Sequence, residues 1–257
     1  MTPGRRDVAI ALGRQNEFIM YDSALIAEPG SALFEPGTPD GPRVLSIKRA
    51  GRRAVYFLQI DGREYVLRHY WRGGQAARLS EESYVWLGAT RSRPFREWRL
   101  LDALWRQGLP VPRPAAARLV RRGPIYQGDI LVERLLNTRS LAEHLAQQAL
   151  PSALWQRVGA VIRQFHDGGA DHADLNAGNI LVDDRGRVFL IDWDRGRLRG
   201  AAGGWQQGNL SRLARSLRKS AHRQPTFHYS ETDWQVLLCG YERGERRLFI
   251  RSARASG

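Results

Sequence analysis

Hydrophobic and polar positions alternate along residues 44–70 in three short runs, 43–48, 54–60 and 65–70. A period of two reads as strands. Asp61-Gly62, between the last two runs, is a hairpin signal, because a tight two-residue turn needs positive φ at its centre. Residues 49–53 join the first two. From Pro94 the period lengthens. Trp98, Leu101 and Trp105 share one face with Leu104 beside them, which predicts a helix over 94–107, opened by proline and closed by Gly108. Leu109-Pro110-Val111-Pro112-Arg113-Pro114 cannot continue that helix and reads as a stiff extended connector. Strands are expected again at 117–121 and 125–134.

After residue 140 the pattern is helical. One helix is expected over 140–147. Ser152 is expected to cap a second, whose apolar stripe is Leu154, Val158, Val161, Ile162 and Phe165 and which ends at Gly168-Gly169. Short strands at 180–182 and 188–191 flank an Asp183-Asp184-Arg185-Gly186 turn and place Asp192 at a strand end. Asn209 is expected to cap a helix carrying Leu210, Leu213 and Leu217, with Arg212, Arg215, Arg218 and Lys219 on its other face. Ser230 and Asp233 resemble a capping box for a last helix holding Trp234, Leu237, Leu238 and Tyr241. Residues 1–43, rich in Gly and Pro, lack sustained periodicity. The order predicts an α+β, bilobal protein: an N-terminal extension (1–43), a small antiparallel β-sheet lobe with one helix (44–135) and a larger, mainly helical lobe (136–257), joined near 133–138.

Composition narrows the partners. The 257 residues are 42% hydrophobic, which suits one compact unit or two small lobes sharing a cleft. A lone cysteine, Cys239, excludes an internal disulfide and a cysteine metal cluster, suits a reducing compartment, and is expected to pack within the last helix. Arg5 and Arg6 precede an apolar run too short for a signal peptide, and no window approaches the roughly 20 apolar residues of a spanning helix. The net charge of +14 calls for an anionic partner, whether nucleic acid, membrane surface or polyanionic substrate. Arginine spread along the whole chain is also what GC-rich coding would give.

The chemistry concentrates in His172-Ala173-Asp174-Leu175-Asn176-Ala177-Gly178-Asn179 and Ile191-Asp192-Trp193. Phosphoryl transfer needs a carboxylate to orient and deprotonate the attacking hydroxyl, and hard oxygen ligands for magnesium on the phosphates. Protein kinases meet these needs with H-R-D-L-x-x-x-N and D-F-G. Here Ala173, Trp193 and Asp194 replace the Arg, Phe and Gly, so the two lobes are expected to form a protein kinase-like fold, an ATP-dependent kinase whose acceptor is a small molecule or a lipid. Asp174 is the candidate catalytic base; Asn179 and Asp192 are the candidate Mg²⁺ ligands. His172 is expected to fix the loop, and Asn176 either to bridge a metal or to orient the loop. Arg68 stands where protein kinases place the V-A-I-K lysine, with Glu97 as its natural ion-pair partner and Arg72 as a competitor. Residues 50–53, with the single glycine Gly51, would cover the phosphates, and the backbone at Glu133 would meet adenine, by analogy with the fold. Arg195, Arg197 and Arg199 suit an anionic acceptor, with Arg91 and Arg93 as possible additions.

The runs Leu67-Arg68-His69-Tyr70-Trp71-Arg72-Gly73-Gly74, Leu109 to Pro114, His172 to Asn176 and Leu190-Ile191-Asp192-Trp193-Asp194-Arg195-Gly196 together resemble the 3-deoxy-D-manno-octulosonic acid (Kdo) kinase family, from about Gly51 to Lys219. That family resembles the lipopolysaccharide core heptose kinases and, more distantly, eukaryotic-type kinases. The resemblance implies ATP-dependent phosphorylation of the 4-hydroxyl of Kdo on a lipid A precursor, at the cytoplasmic face of the inner membrane, by a peripheral protein attracted to the anionic surface, with no nucleic-acid partner. It carries the catalytic role to Asp174 and, through the wider kinase pattern, metal roles to Asn179 and Asp192. The basic helix at 209–219 is a candidate docking face. Two alternatives stand beside it. Aminoglycoside and choline kinases also use H-x-D-x-x-x-x-N, but an acidic acceptor pocket would then be expected. A degenerate kinase fold binding membrane or nucleic acid by charge alone would explain the thin glycine loop.

Overall fold

The computed structural model describes residues 8–12, 16–50, 53–70, 84–85, 88–200 and 203–254. The chain divides into two compact units, Met1–Asp102 with Pro112–Arg134, and Ala103–Val111 with Leu135–Gly257.

The first unit is built on an antiparallel sheet. Its strands are β1 (Val8–Leu12), β2 (Glu17–Asp22), β3 (Arg43–Ala50), β4 (Arg53–Ile60), β5 (Arg63–His69), β6 (Tyr84–Val85), β7 (Pro114–Arg122) and β8 (Ile125–Glu133). The order is β1-β2-β7-β8-β5-β4-β3, with β6 pairing β8. The Asp61-Gly62 turn adopts positive φ at both residues (48° and 75°) and sets the register Ile60↔Arg63. Alternation on β5 sends Tyr65 and Leu67 into the core and leaves Val66 and Arg68 half-buried on the other face. Helix α1 (Arg93–Arg106) buries Phe95, Trp98, Leu101 and Leu104, while Trp105 is half-buried. Gly108 follows in the left-handed region, and Leu109 N–H reaches back to Leu104 O at 3.1 Å, a Schellman closure.

The boundary expected at residue 43 does not divide this unit. Strand β2 pairs β7 from Glu17↔Val120 to Tyr21↔Ala116, and Ile19, Leu25, Ile26 and Phe34 pack in one core with Leu58, Tyr65, Leu67, Ala116 and Leu131. Buried polar groups tie the segment down as well. Arg113 grips Asp22 through two hydrogen bonds of 2.9 and 2.7 Å. Arg118 donates to Asp129 at 2.7 Å, lies within 3.6 Å of Glu17 and 3.4 Å of Glu35, and covers the Phe34 ring. A 660 Å³ cavity lies in this unit, lined by Glu28, Gly30, Asp40, Arg43 and Asp61 among others.

The second unit is mainly helical. It holds β9 (Thr138–Ser140), α2 (Leu141–Leu145), α3 (Ser152–Asp167), β10 (Ala170–Asp171), β11 (Ile180–Asp183), β12 (Val188–Leu190), β13 (Arg197–Leu198), α4 (Trp205–Arg223) and α5 (Glu231–Arg254). Ser140 and Glu143 close a reciprocal capping box on α2, and Ser230 with Asp233 does the same for α5. Two expected caps are corrected. Ser152 is already helical on α3, with Pro151 in the extended N-cap position; Asn209 lies inside α4, which begins after Gly203-Gly204 at φ 118° and 63°. Cys239 is exposed on α5 rather than packed. No helix among the described residues is long and apolar enough to cross a membrane.

Helices α3 and α5 cross with almost no space between their backbones. A Cβ on Gly159 would lie 2.0 Å from Leu237 O, and one on Gly240 would lie 2.1 Å from Gln156 O. Beside the crossing, His166 on α3 is buried, 2.7 Å from the Tyr241 hydroxyl through Nδ1 and edge-on to Trp205. Burial chiefly, with the nearby Arg163, lowers its pKa to about 4, against opposing contributions from Asn209 and Asp171.

This packing sets two expectations for stability. Gly159→Ala must push two backbones apart and is expected to cost about 3 kcal/mol in urea unfolding, whereas Gly208→Ala, in open space on α4, is expected to gain roughly 0.5–1 kcal/mol. Equal effects would contradict the close crossing. His166 is neutral when folded, so its contribution is complete above pH 6.5 and is lost as pH falls toward about 4, where the unfolded chain takes up a proton that the folded one refuses. Unfolding free energy should drop by about 1.4 kcal/mol per pH unit across that window, and His166→Gln should flatten the slope.

Candidate active site

The chemistry-bearing loop of the second unit runs from β10 to β11. One imidazole organises it. His172 Nδ1 accepts the Asp174 N–H at 3.2 Å, so Nε2 carries the proton and donates to Ile191 O at 2.9 Å. The ring is almost fully buried, and burial chiefly lowers its pKa, opposed by the Ile191 hydrogen bond and the charges of Asp192 and Asp174. Neutral His172 therefore holds the peptide entering Asp174 and the carbonyl preceding Asp192, as expected of a residue that fixes the loop.

The Asp174 carbonyl is held from the other side by two amides, Asn176 Nδ2 and Asn179 Nδ2, both at 2.9 Å. Asn176 Oδ1 accepts Gly178 N–H at 2.8 Å, an Asx turn that orients the loop. Helix α4 clasps both ends of the loop: Asn209 Oδ1 accepts His172 N–H at 2.9 Å, and Ser216 Oγ accepts Ala177 N–H at 3.4 Å. The Asp174 side chain is exposed on this braced backbone, and among the described residues its carboxylate has no hydrogen-bond partner.

Asn179 and Asp192 are brought together by a hairpin. β11 pairs β12 from Val182↔Val188 to Ile180↔Leu190, with Gly186 at φ 70° in the turn, and Ile191 N–H continues the ladder to Asn179 O at 3.0 Å. Asp192 then adopts φ 64°, a left-handed conformation costly for most side chains. The next residue, Trp193, is fully buried, its ring stacked on Phe165 at 5.2 Å and packed on His172 at 4.5 Å between centroids. Because Asn179 spends its amide nitrogen on Asp174 O, Oδ1 is the atom it offers outward. Among the described residues no three His, Cys, Asp or Glu side chains form a metal cage. An amide oxygen and a carboxylate on adjacent strand ends instead fit Mg²⁺, which takes few protein ligands and completes its shell with phosphates and water.

The remaining candidates are divided. In the sheet unit, Arg68 donates to Glu97, and Tyr70 donates its hydroxyl to the other Glu97 oxygen. Glu97 is 1% exposed, and burial, with the Glu97 charge, pushes the Tyr70 hydroxyl well above its usual pKa. Gly51 and Arg72 lie outside the described residues. Glu133 ends β8, but its N–H donates to Arg113 O at 2.9 Å, so that amide is committed to the sheet and not open to adenine. Arg91 is exposed, and Arg93 lies over Tyr70, both in this unit. In the helical unit, Arg195 is exposed at the turn after Trp193. Arg199 is partly committed, donating to Asp171 at 2.6 Å, while Arg197 lies 3.7 Å from the same carboxylate with its side chain 59% exposed. Asp171 and Asn209, not expected at the site, also belong to the hydrogen-bond network that holds the loop. Asp171 precedes His172 in the same sequence run; nothing in the sequence singled out Asn209 beyond its resemblance to a cap.

The sequence model of the "Lipopolysaccharide kinase (Kdo/WaaP) family" matches residues 46–241. The chain is 46% identical over 230 residues to a 3-deoxy-D-manno-octulosonic acid kinase of Xanthomonas campestris pv. campestris (strain B100), covering 90% of this chain and 91% of that one. It is 37% identical over 222 residues to its counterpart in Vibrio parahaemolyticus, covering 86% and 92%. Among solved structures, the Cydia pomonella granulovirus kinase PK-1 overlaps 62% of this chain and 53% of its own, with a TM-score of 0.43 and 13% identity. With its H-x-D-x-x-x-x-N loop braced by His172 and with relatives aligned over nearly their whole length, the chain belongs to the lipopolysaccharide kinase (Kdo/WaaP) family.

Proposed function

We propose that the protein is a Kdo kinase, transferring the γ-phosphoryl group of ATP to the 4-hydroxyl of a Kdo sugar on a lipid A precursor. The observation that carries the reading is Asp174: an exposed, uncommitted carboxylate on a backbone fixed at its N–H and its carbonyl, in a chain similar along most of its length to named Kdo kinases. Its carboxylate takes the proton of the acceptor hydroxyl. The freed oxygen pair forms the new bond to the γ-phosphorus, and the bond to the β,γ-bridging oxygen breaks, leaving its electrons on ADP. Asn179 Oδ1 and the Asp192 carboxylate are the side chains that would hold Mg²⁺. When bound, that ion neutralises charge on the nucleotide phosphates. Arg68, aimed by Glu97, binds phosphate oxygens as a planar fork rather than a point charge.

The acceptor is anionic, carrying a sugar carboxylate and phosphates. Arg195 and the exposed part of Arg197 supply paired donors of matching geometry. The net charge of +14 draws the protein to the inner-membrane surface, at about 1 kcal/mol per basic side chain near anionic lipid.

Two measurements test this. With radiolabelled ATP and a Kdo-lipid A precursor, Asp174→Asn should lower kcat by roughly 10²–10⁴-fold with the melting temperature unchanged; undiminished transfer removes the central assignment. Arg68→Ala should raise the KM for ATP by about tenfold or more, the value of a charge-assisted hydrogen bond, while Arg68→Lys, which keeps a cation beside Glu97, should recover part of the loss.

A further inference from the structure

Asn209 is 2% exposed, and both ends of its amide are engaged. Oδ1 accepts His172 N–H at 2.9 Å; Nδ2 donates to Asp171 Oδ1 at 2.9 Å and to Trp205 O at 3.1 Å. The other Asp171 oxygen accepts Arg199 Nε at 2.6 Å and lies 3.7 Å from Arg197. The backbone repeats the link, with Asp171↔Arg197 paired between β10 and β13 and Arg199 N–H on Gly169 O at 2.8 Å. One side chain on α4 thus reaches two structures at once. Through His172 it reaches the peptides of Asp174 and Ile191; through Asp171 it reaches the arginine strand.

We propose that Asn209 is a positioning residue that couples the arginine strand, Arg197 to Arg199, to the transfer loop, so that the groups facing the acceptor's anionic part and the base facing its hydroxyl are set by one rigid link. This rests on the phosphotransfer reading above. The chemistry explains why the residue is an amide. A carboxylate could accept from His172, but it would meet Asp171 oxygen to oxygen; an alanine would take the partner from two buried groups, the His172 N–H and Asp171 Oδ1.

The full-length protein tests the link in two arms. In amide hydrogen exchange, Asn209→Ala should speed exchange at Asp174 and at Arg199 by about tenfold or more, because both amides are bonded to groups other than Asn209 itself, while Leu213 and Leu217 on α4 stay protected. An unchanged Arg199 amide overturns the coupling. In the kinase assay, Asn209→Asp should lose about 100-fold in kcat, the scale of a misplaced reacting group, with the KM for ATP within about twofold. The exchange of partners, Asp171→Asn with Asn209→Asp, should recover most of it, since the amide then at position 171 can donate to the carboxylate at position 209, and no two carboxylates meet. Failure of the swap to recover more than either single variant overturns the proposal. Should Asn209→Ala loosen α4, Asp171→Asn and the swap are judged by the same exchange criteria. Absence of transfer by the unaltered protein would remove the Kdo kinase reading and leave the exchange arm to judge the link.

Discussion

A neutral, buried imidazole is the constraint on which the helical unit's chemistry depends. His172 can serve Asp174 N–H and Ile191 O together only in one tautomer, with Nδ1 accepting and Nε2 donating. Burial keeps the ring uncharged and so preserves that division of roles. A protonated ring would have two donors and would face the Asp174 amide with the wrong polarity. Trp193 completes the arrangement by packing on the same ring, directly after Asp192 in its left-handed conformation.

The sheet unit follows a different logic. Its polar anchors, Glu97, Asp129, Asp22 and Glu17, are buried carboxylates, each met by an arginine or a hydroxyl. Breaking such a pair costs more than forming it yields, because the remaining charge stays buried. The arrangement therefore specifies which strands are neighbours more than it adds stability. Arg118 illustrates this: it lies on β7 yet collects Asp129 from β8, Glu17 from β2 and Glu35 from the covering segment.

What the sequence disclosed depended on whether a residue's role was local. Strands β3 to β5, the hairpin at Asp61-Gly62 and the capping box at Ser230 are written in neighbouring residues, and the expected elements agree with the observed ones. Strand β2 escaped notice because Phe18 to Tyr21 form a continuous apolar run without alternation. Asn209 misled for the opposite reason. An asparagine before an apolar stripe has the local signature of a cap, but its partners, Asp171 and His172, are 38 and 37 residues away. The loop spacing from His172 to Asn179 identified the candidate chemistry, while the two amides that converge on the Asp174 carbonyl could be seen only in three dimensions.

The basic composition needs the same separation of local from tertiary roles. Lys48 and Lys219 are the only lysines among 40 basic side chains. A solubilising surface does not demand that bias, but buried pairing favours it, because a planar guanidinium meets a carboxylate with two parallel donors and sheds its water more readily than an ammonium. Arg218 on Glu231 has that geometry on the surface of the helical unit, and in the sheet unit Arg113 turns two donors onto one oxygen of Asp22. Part of the positive charge is therefore consumed by the fold. The net charge alone consequently says less about the acceptor than the position of a few arginines does. Arg197 and Arg199 are fixed in this way, because a single buried aspartate, Asp171, holds both beside β10, the strand that leads into the loop carrying Asp174.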